Sequence, residues 1–371
     1  MNITVLFSQL QENVLEQKPF VAYRKPSDSS IKYLSQKDDQ VHYTEDFTES
    51  GFVFAPFNSN DKAVLIAGNP AAFALEDFEE SLPEIPLPLN FSLKEQEQHI
   101  GIVEEAVKKI RETGLQKVVL SRRQKATVAD TSPVTLFKRL LQKYPNAFVY
   151  LWSHPQVGIW LGATPETLVS LSGYNFETMA LAGTQKYEGD LDVNWGFKEQ
   201  EEQELVTQDL VSRLNTFDLK NIEIRERETY RAGNLLHLRT CISGSFNRAD
   251  FDLSKLIKAL HPTPAVCGLP RAEAQTFIEH YEGYNRLFYT GFLGELNILK
   301  DKSKPRNRRN VENLAYKTLT PETRLFVNLR CMQYQAPDSL IYVGGGITKD
   351  SVAGDEWQET VNKAQTIASI L

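Results

Sequence analysis

Apolar residues recur along this chain with two periods. Phe7, Leu10 and Val14 fall at helical spacing, and the apolar runs at 20–23, 51–57 and 63–67 predict short strands. Pro83, Pro86 and Pro88 make residues 82–89 an extended connector rather than a helix or central strand. Beyond it, Ile102, Val103, Ala106 and Ile110 mark one face of a helix at 94–113, which Gly114 ends. Strands are then predicted at 117–121, 147–153, 158–162, 176–181, 235–239, 287–296, 325–331 and 341–343. Helices are predicted at 198–214, 253–260 and 271–280, with a last one starting near Gly354. The pattern sets 1–90 apart as an N-terminal α/β appendage with its proline-rich connector, leaving 91–371 as the main domain.

Composition narrows the possible partners. At 371 residues, 41% of them hydrophobic, the chain can bury a large core. Its net charge of −7 offers no general attraction to nucleic acid or anionic lipid, so an anionic substrate would need a local cluster of cations or a metal. Cys241, Cys267 and Cys331 are odd in number and widely spaced, which argues against a disulfide framework or zinc site. No stretch has the length of a membrane span, and no signal-peptide core follows the start, so a cytoplasmic protein is expected.

Candidate chemistry is scattered along the main domain. Lys117 opens an apolar strand; buried, it would lose charge readily and could serve as a base, whereas at a strand end it could reach solvent. In Ala163-Thr-Pro-Glu-Thr-Leu, a proline-fixed turn presents Glu166 between two apolar strands, where desolvation would raise its pKa and suit a general acid. A turn carboxylate bonded to backbone is the alternative. Ala182-Gly-Thr184 is a glycine-bearing strand end or a plain turn, and His237 within an apolar strand reads as a satisfied core histidine.

Near the end, Glu356, Glu359 and Lys363 lie at i, i+3 and i+7, putting two carboxylates and an ammonium on one helix face. That face could hold a hard divalent cation and pair with an anion, or simply be solvated. Glu202, one turn before Leu205 and Val206, stands near the buried edge of its helix and could complete such a metal site. Arg330, among Phe326, Val327 and Leu329, needs an anionic partner. The loop 261–268, with two prolines, is stiff enough to hold a ligand with little ordering entropy. The basic run 300–309 lacks interleaved aromatics and reads better as a solvated hairpin extension than as a nucleic-acid patch.

Seven blocks then occur in one order: Lys117-Val-Val-Leu-Ser-Arg, Gly162-Ala-Thr-Pro-Glu, Leu181-Ala-Gly-Thr, Glu202-Gln-Glu-Leu-Val, His261-Pro-Thr-Pro-Ala-Val-Cys-Gly, Leu329-Arg-Cys and the segment 344–363. Together they resemble the chorismate-utilising enzymes, most closely the isochorismate synthases, over about residues 94–371. The resemblance implies an α/β (α+β) fold of four layers, α-β-β-α, with two stacked, mainly antiparallel sheets flanked by helices as in anthranilate synthase component I-like enzymes.

It further implies a Mg²⁺-dependent conversion of chorismate to isochorismate, by addition of water at C2 and loss of the C4 hydroxyl. Lys117 would be the base, Glu166 the acid, and Glu202 and Glu359 the metal ligands, with Glu199 and Glu356 close behind them. Arg330 and Tyr289 would contact the pyruvyl carboxylate, Gly344 would offer its backbone, and Lys363 would meet the ring carboxylate; Gly183, Thr184 and His237 match other substrate-facing positions. Ala265 stands where ammonia-using or pyruvate-eliminating relatives commonly carry threonine, which points to the water-adding branch. Gln203 departs from the histidine that many relatives have after the metal glutamate.

Chorismate is thus the expected partner, with neither nucleic acid nor membrane, acting on a monomer that needs no amidotransferase subunit. The rival readings are a salicylate synthase, the synthase subunit of an anthranilate or aminodeoxychorismate pair, and a silenced chorismate-binding regulator. The pathway served, menaquinone or siderophore biosynthesis, is left open.

Overall fold

A computed structural model describes residues 2–75, 78–84, 89–128, 131–248, 251–301 and 319–371. Most of the basic run 300–309, and residues 85–88 of the connector, lie outside the described residues.

The described strands form two large antiparallel sheets. Across the nine-stranded sheet the order is Gly268–Leu269, Lys117–Thr127, Asp338–Ile347, Cys331–Tyr334, Gly158–Thr164, Phe148–His154, Phe20–Arg24, Ser30–Ser35 and Ala71–Ala74. The second sheet runs Leu219–Ile224, Leu235–Phe246, Asn175–Lys186, Thr167–Ser172, Leu319–Val327, Phe292–Asp301, Gly51–Ala55, Ala63–Ala67 and Tyr43–Thr44, with Glu228–Ala232 also pairing to Leu235–Phe246.

Side-chain alternation explains why two sheets stack. On Phe148–His154, Phe148, Tyr150 and Trp152 point between the sheets, where they meet Phe52, Phe54 and Phe326. Val149 and Leu151 point the other way, into a layer closed by the helices Ile3–Leu15, Pro133–Lys143 and Ala353–Ala368. A strand buried on both faces therefore reads as one apolar run in sequence. Each such fully buried aromatic or aliphatic side chain contributes about 1.5–3 kcal/mol. The helices Leu93–Glu112 and Arg271–Tyr281 pack with Val118, Leu120 and Ile347, while Phe197–Leu214 and Leu253–Leu260 cover the second sheet. The result is the four-layer α-β-β-α arrangement expected from the resemblance.

The N-terminal segment, set apart in sequence as an appendage, adds three strands to the edge of each sheet. Phe20–Arg24 pairs with Phe148–His154, and Gly51–Ala55 pairs with Phe292–Asp301. Its apolar runs had no pattern that named a partner strand, so only the paired structure places them.

Two strand expectations change. Residues 325–331 do not form one strand: Leu319–Val327 ends in the second sheet, Cys331–Tyr334 begins in the first, and the chain crosses at 328–330, where Arg330 adopts φ 48°. Likewise 287–291 is a turn, with Leu287 at φ 52° and Thr290 at φ 61°, so that strand starts at Phe292. Both segments are apolar enough to read as strand, yet both are crossings that aim side chains into the space between the sheets. The three cysteines are buried and unpaired, and no helix among the described residues is long and apolar enough to cross a membrane.

Candidate active site

Sheet register builds the floor of the site. Lys117–Thr127 pairs with Asp338–Ile347 from Val118↔Ile347 to Thr127↔Asp338, which sets Val119, Leu120 and Ser121 opposite Gly346, Gly345 and Gly344, and the Lys117 side chain reaches to 3.0 Å from the Cβ position of Gly346. On its other side Gly268 pairs with Val118, so close that a Cβ there would stand 2.3 Å from the Lys117 carbonyl oxygen. Only glycine lets the 261–268 loop press against this strand. Lys117 is 0% exposed, which removes the alternative of a lysine reaching solvent. Its Nζ lies 2.9 Å from Glu202 Oε1.

A brace the sequence reading missed holds these parts in register. Arg286 is buried and paired with Glu282, and its guanidinium donates to Val266 O at 2.9 Å and Val119 O at 2.7 Å. Glu282 in turn accepts from Ser121 N at 2.7 Å. One arginine thus ties the 261–268 loop to the Lys117 strand. The available signal was the i, i+4 spacing of Glu282 and Arg286 just past a helix, which reads as an ordinary surface pair.

Except for Lys117, Glu199 and Glu356, every site residue expected from the sequence lines one cleft between the sheets. Glu166 sits in the turn between Gly158–Thr164 and Thr167–Ser172, 3% exposed, its backbone oxygen accepting from Val327 N. Burial pushes its carboxyl up to about 8 against the pull of the Lys117, Lys363 and Arg330 charges. At neutral pH it is an acid with a proton to give.

The opposite wall carries a buried arginine. Buried Arg330 donates to Thr366 Oγ1 at 3.1 Å and contacts His237 Nε2 at 3.3 Å. Burial, then the Arg330 charge, lowers the His237 pKa to about 3, so the ring is neutral. Because Gly183 O can only accept, the 2.8 Å contact makes Nδ1 the donor and leaves Nε2 as the acceptor for Arg330. His237 is therefore more than core filling: it orients the guanidinium, with Thr184 Oγ1 also at 3.5 Å from Nδ1. Desolvation lowers the Arg330 pKa, an effect that nearby Tyr289, Tyr144, Glu359 and Glu166 oppose, and no protein carboxylate forms an ion pair with it among the described residues. The Tyr289 hydroxyl stands 3.0 Å from where a Cβ on Gly344 would be, and Ala265 lines the same cleft.

The carboxylates form the remaining wall. Lys363 Nζ lies 2.6 Å from Glu359 Oε1 and donates to Gly344 O at 3.0 Å. Glu356, 1% exposed, pairs through Oε1 with Lys198, while its buried Oε2 has no well-formed hydrogen bond. Glu356 Oε2 and Glu359 Oε1 each lie 3.5 Å from the Cβ position of Gly345, and Glu202 Oε1 lies 2.2 Å from that of Gly346. Burial and then the Glu359 charge raise the Glu356 pKa, despite Lys198 and Ser351. For Glu202, burial is more than offset by Lys117, with Lys363 and Lys198 adding to it, and its pKa falls below the usual range.

Convergent hard oxygen donors and one orphaned, buried carboxylate oxygen fit a hard divalent cation. They are not gathered into a metal-ligand cluster among the described residues; each carboxylate is held by a lysine instead. Glu199 is not brought to this group. Its carboxylate lies against Gly196 at the start of its own helix, with the side-chain stem against Gly183. Gln203 also points elsewhere, donating to Thr207 Oγ1 and Thr240 Oγ1 at 2.9 Å and fastening the helix to the second sheet.

Comparison with known proteins places this cleft in a family. Residues 73–301 match the family model described as chorismate binding enzyme, and residues 316–369 match a second model of the same description. The chain belongs to the chorismate-binding enzymes.

Among similar chorismate-binding proteins is isochorismate synthase MenF of Escherichia coli K12, 28% identical over 319 residues, covering 81% of this chain and 68% of the relative. Isochorismate synthase DhbC of Bacillus subtilis is 26% identical, covering 76% of this chain and 73% of that one. Anthranilate synthase component 1 of Aquifex aeolicus is 27% identical, with coverages of 75% and 53%. The chain thus spans from about half to three quarters of these relatives' lengths. The solved structure of the E. coli MenF superposes with TM-score 0.73 at 21% identity, covering 95% of this chain and 88% of that one. Anthranilate synthase component I from Streptococcus pneumoniae superposes at 0.67, with 18% identity and coverages of 94% and 90%. Both likenesses establish the shared fold.

Proposed function

We propose that this chorismate-binding protein is a Mg²⁺-dependent isochorismate synthase. The observation that carries the reading is a buried Glu166 that burial keeps protonated, lining one cleft with Arg330, and a buried Lys117 whose side chain reaches the cleft's Gly346 floor. Chorismate is a dianion with a leaving hydroxyl on the ring. Arg330, oriented by His237, supplies a fixed guanidinium for one carboxylate, with the Tyr289 hydroxyl on the same side. Lys363 supplies a second cation near Gly344 for the other.

In the reaction, which needs Lys117 as the free amine and so released from its ion pair with Glu202, Nζ takes a proton from water as the water oxygen bonds to C2. The ring double bond shifts, the C4–O bond breaks, and Glu166 gives its proton to the departing oxygen. One water enters and one leaves, so the net change is an isomerisation. Glu202, Glu356 and Glu359 would hold the magnesium ion, which when bound neutralises these carboxylates and polarises a substrate carboxylate. The methyl group of Ala265 offers no hydrogen bond to a competing nucleophile, which supports water as the attacking group. The similar isochorismate synthases support the same product.

The test is product identification. Purified protein with chorismate and Mg²⁺ should yield isochorismate, with no aminated product when ammonium is added. Salicylate with pyruvate, or an amino-substituted product, dominating early in the reaction would reject the isochorismate reading.

A further inference from the structure

The three carboxylates of the site differ in what their lysines are for. Lys363, which pairs with Glu359, lines the cleft, and Lys117, which pairs with Glu202, reaches its Gly346 floor. Lys198 does not line the cleft. It stands in the first turn of Phe197–Leu214 and reaches across to Glu356 in the first turn of Ala353–Ala368. Glu356 is the most deeply buried carboxylate of the three, at 1% side-chain exposure against 12% for Glu202 and 26% for Glu359. Lys198 itself remains 28% exposed, open to solvent on its far side.

A buried carboxylate beside another carboxylate stays ionised only if a cation compensates it. Lys198 compensates one oxygen of Glu356 and leaves the other, Oε2, without a well-formed hydrogen bond and aimed with Glu359 Oε1 at the Gly345 backbone. A divalent ion entering there would meet a cation already seated on one of its ligands.

We propose that Lys198 is a positioning residue that serves as an exchangeable counter-ion, holding Glu356 in place before magnesium arrives and weakening magnesium binding by competing for the same carboxylate. The inference rests on the metal reading above. Its consequence is that the lysine trades metal affinity for stability of the metal-free protein. Removing its charge should destabilise the metal-free fold and tighten magnesium uptake, the reverse of losing a ligand. Repulsion between an ammonium and a divalent ion held by the same carboxylate allows an effect of about tenfold in affinity.

The experiment measures Mg²⁺ binding by titration calorimetry, and Tm with and without Mg²⁺, on the full chain without substrate. Lys198→Met and Lys198→Gln should lower the metal-free Tm, enlarge the Mg²⁺-induced rise in Tm, and tighten Kd by about tenfold. Lys198→Arg should behave as wild type. Lys349→Met, which breaks the exposed Lys349–Glu201 pair outside the cleft, should leave Mg²⁺ binding unchanged. Equal or weaker Mg²⁺ binding in both neutral variants overturns the role of Lys198 and leaves the metal reading standing. No Mg²⁺ binding by any of these proteins overturns both.

Discussion

Two carboxyl groups share the cleft walls and take opposite states. Glu166 and Glu202 both carry a desolvation penalty that favours the proton, yet Glu166 is pushed up to about 8 while Glu202 is held below the usual carboxylate range. The difference is contact. Glu202 has the Lys117 ammonium at 2.9 Å, whereas Glu166 feels Lys117, Lys363 and Arg330 only through longer-range charge. Burial alone sets a carboxyl to be an acid, and one cation at contact distance resets it to be an anion. The same lysine therefore helps to divide the two groups, leaving one glutamate protonated and the other ionised.

The sharpest way to break this division is to remove its endpoints. Lys117→Ala and Glu166→Gln should each fold and lose roughly 10²–10⁴-fold in turnover, measured as kcat on chorismate. Near-wild-type turnover in either would reassign its role. Glu202→Gln and Glu359→Gln should weaken Mg²⁺ binding and activity together, since a hard-oxygen site loses a charged ligand. An unchanged Mg²⁺ dependence in both variants would remove them from the metal site.

A pH profile sharpens the comparison without a substitution. If Glu166 is the donor, kcat should fall as pH rises through about 8, the value to which burial lifts its pKa from an ordinary 4.5. A profile flat to pH 9 would contradict that assignment.

Stability gives the same group a second readout. The folded protein binds the Glu166 proton more tightly than the unfolded chain, so this contribution is complete below pH 4.5 and lost as pH rises through about 8. Glutamine cannot ionise, so Glu166→Gln should gain stability relative to wild type across that window, by up to about 1.4 kcal/mol per pH unit. Denaturant unfolding at pH 5 and pH 8 would show it; a constant difference would mean the carboxyl is ionised throughout. The smallest effect expected is for Gln203→Ala, which removes the contacts to Thr207 and Thr240 at about 1 kcal/mol and should leave Mg²⁺ binding intact.

Much of this was legible in the sequence, for definite reasons. Lys117, Glu166 and Glu202 stand where apolar periodicity meets a charge, and burial, as of Lys117 and Glu166, is rare enough for a charge that the pattern shows it, while Glu359 showed in its helical spacing from Glu356 and Lys363. Glu356 was visible as part of a helix face, although its partner Lys198, 158 residues away, was not. Arg286 and Thr366 escaped notice because their work is done through backbone carbonyls and a guanidinium, which leave no spacing to read. The breaks at 287–291 and 328–330 were hidden for a different reason. Apolar residues that cross between two sheets look like apolar residues that run along one.

The glycine row 344–346 has a further consequence, for how such a site can change over generations. An alanine at Gly346 would place its methyl carbon 2.2 Å from Glu202 Oε1, and one at Gly344 would lie 2.6 Å from Leu120 O. Every other amino acid carries at least that carbon. A lineage drifting by single substitutions therefore meets backbone at Gly344 and has to displace the Glu202 carboxylate at Gly346, whereas Gly345 has room for a methyl group. New preferences are more easily found at other lining positions, such as Ala265, than at Gly344 or Gly346.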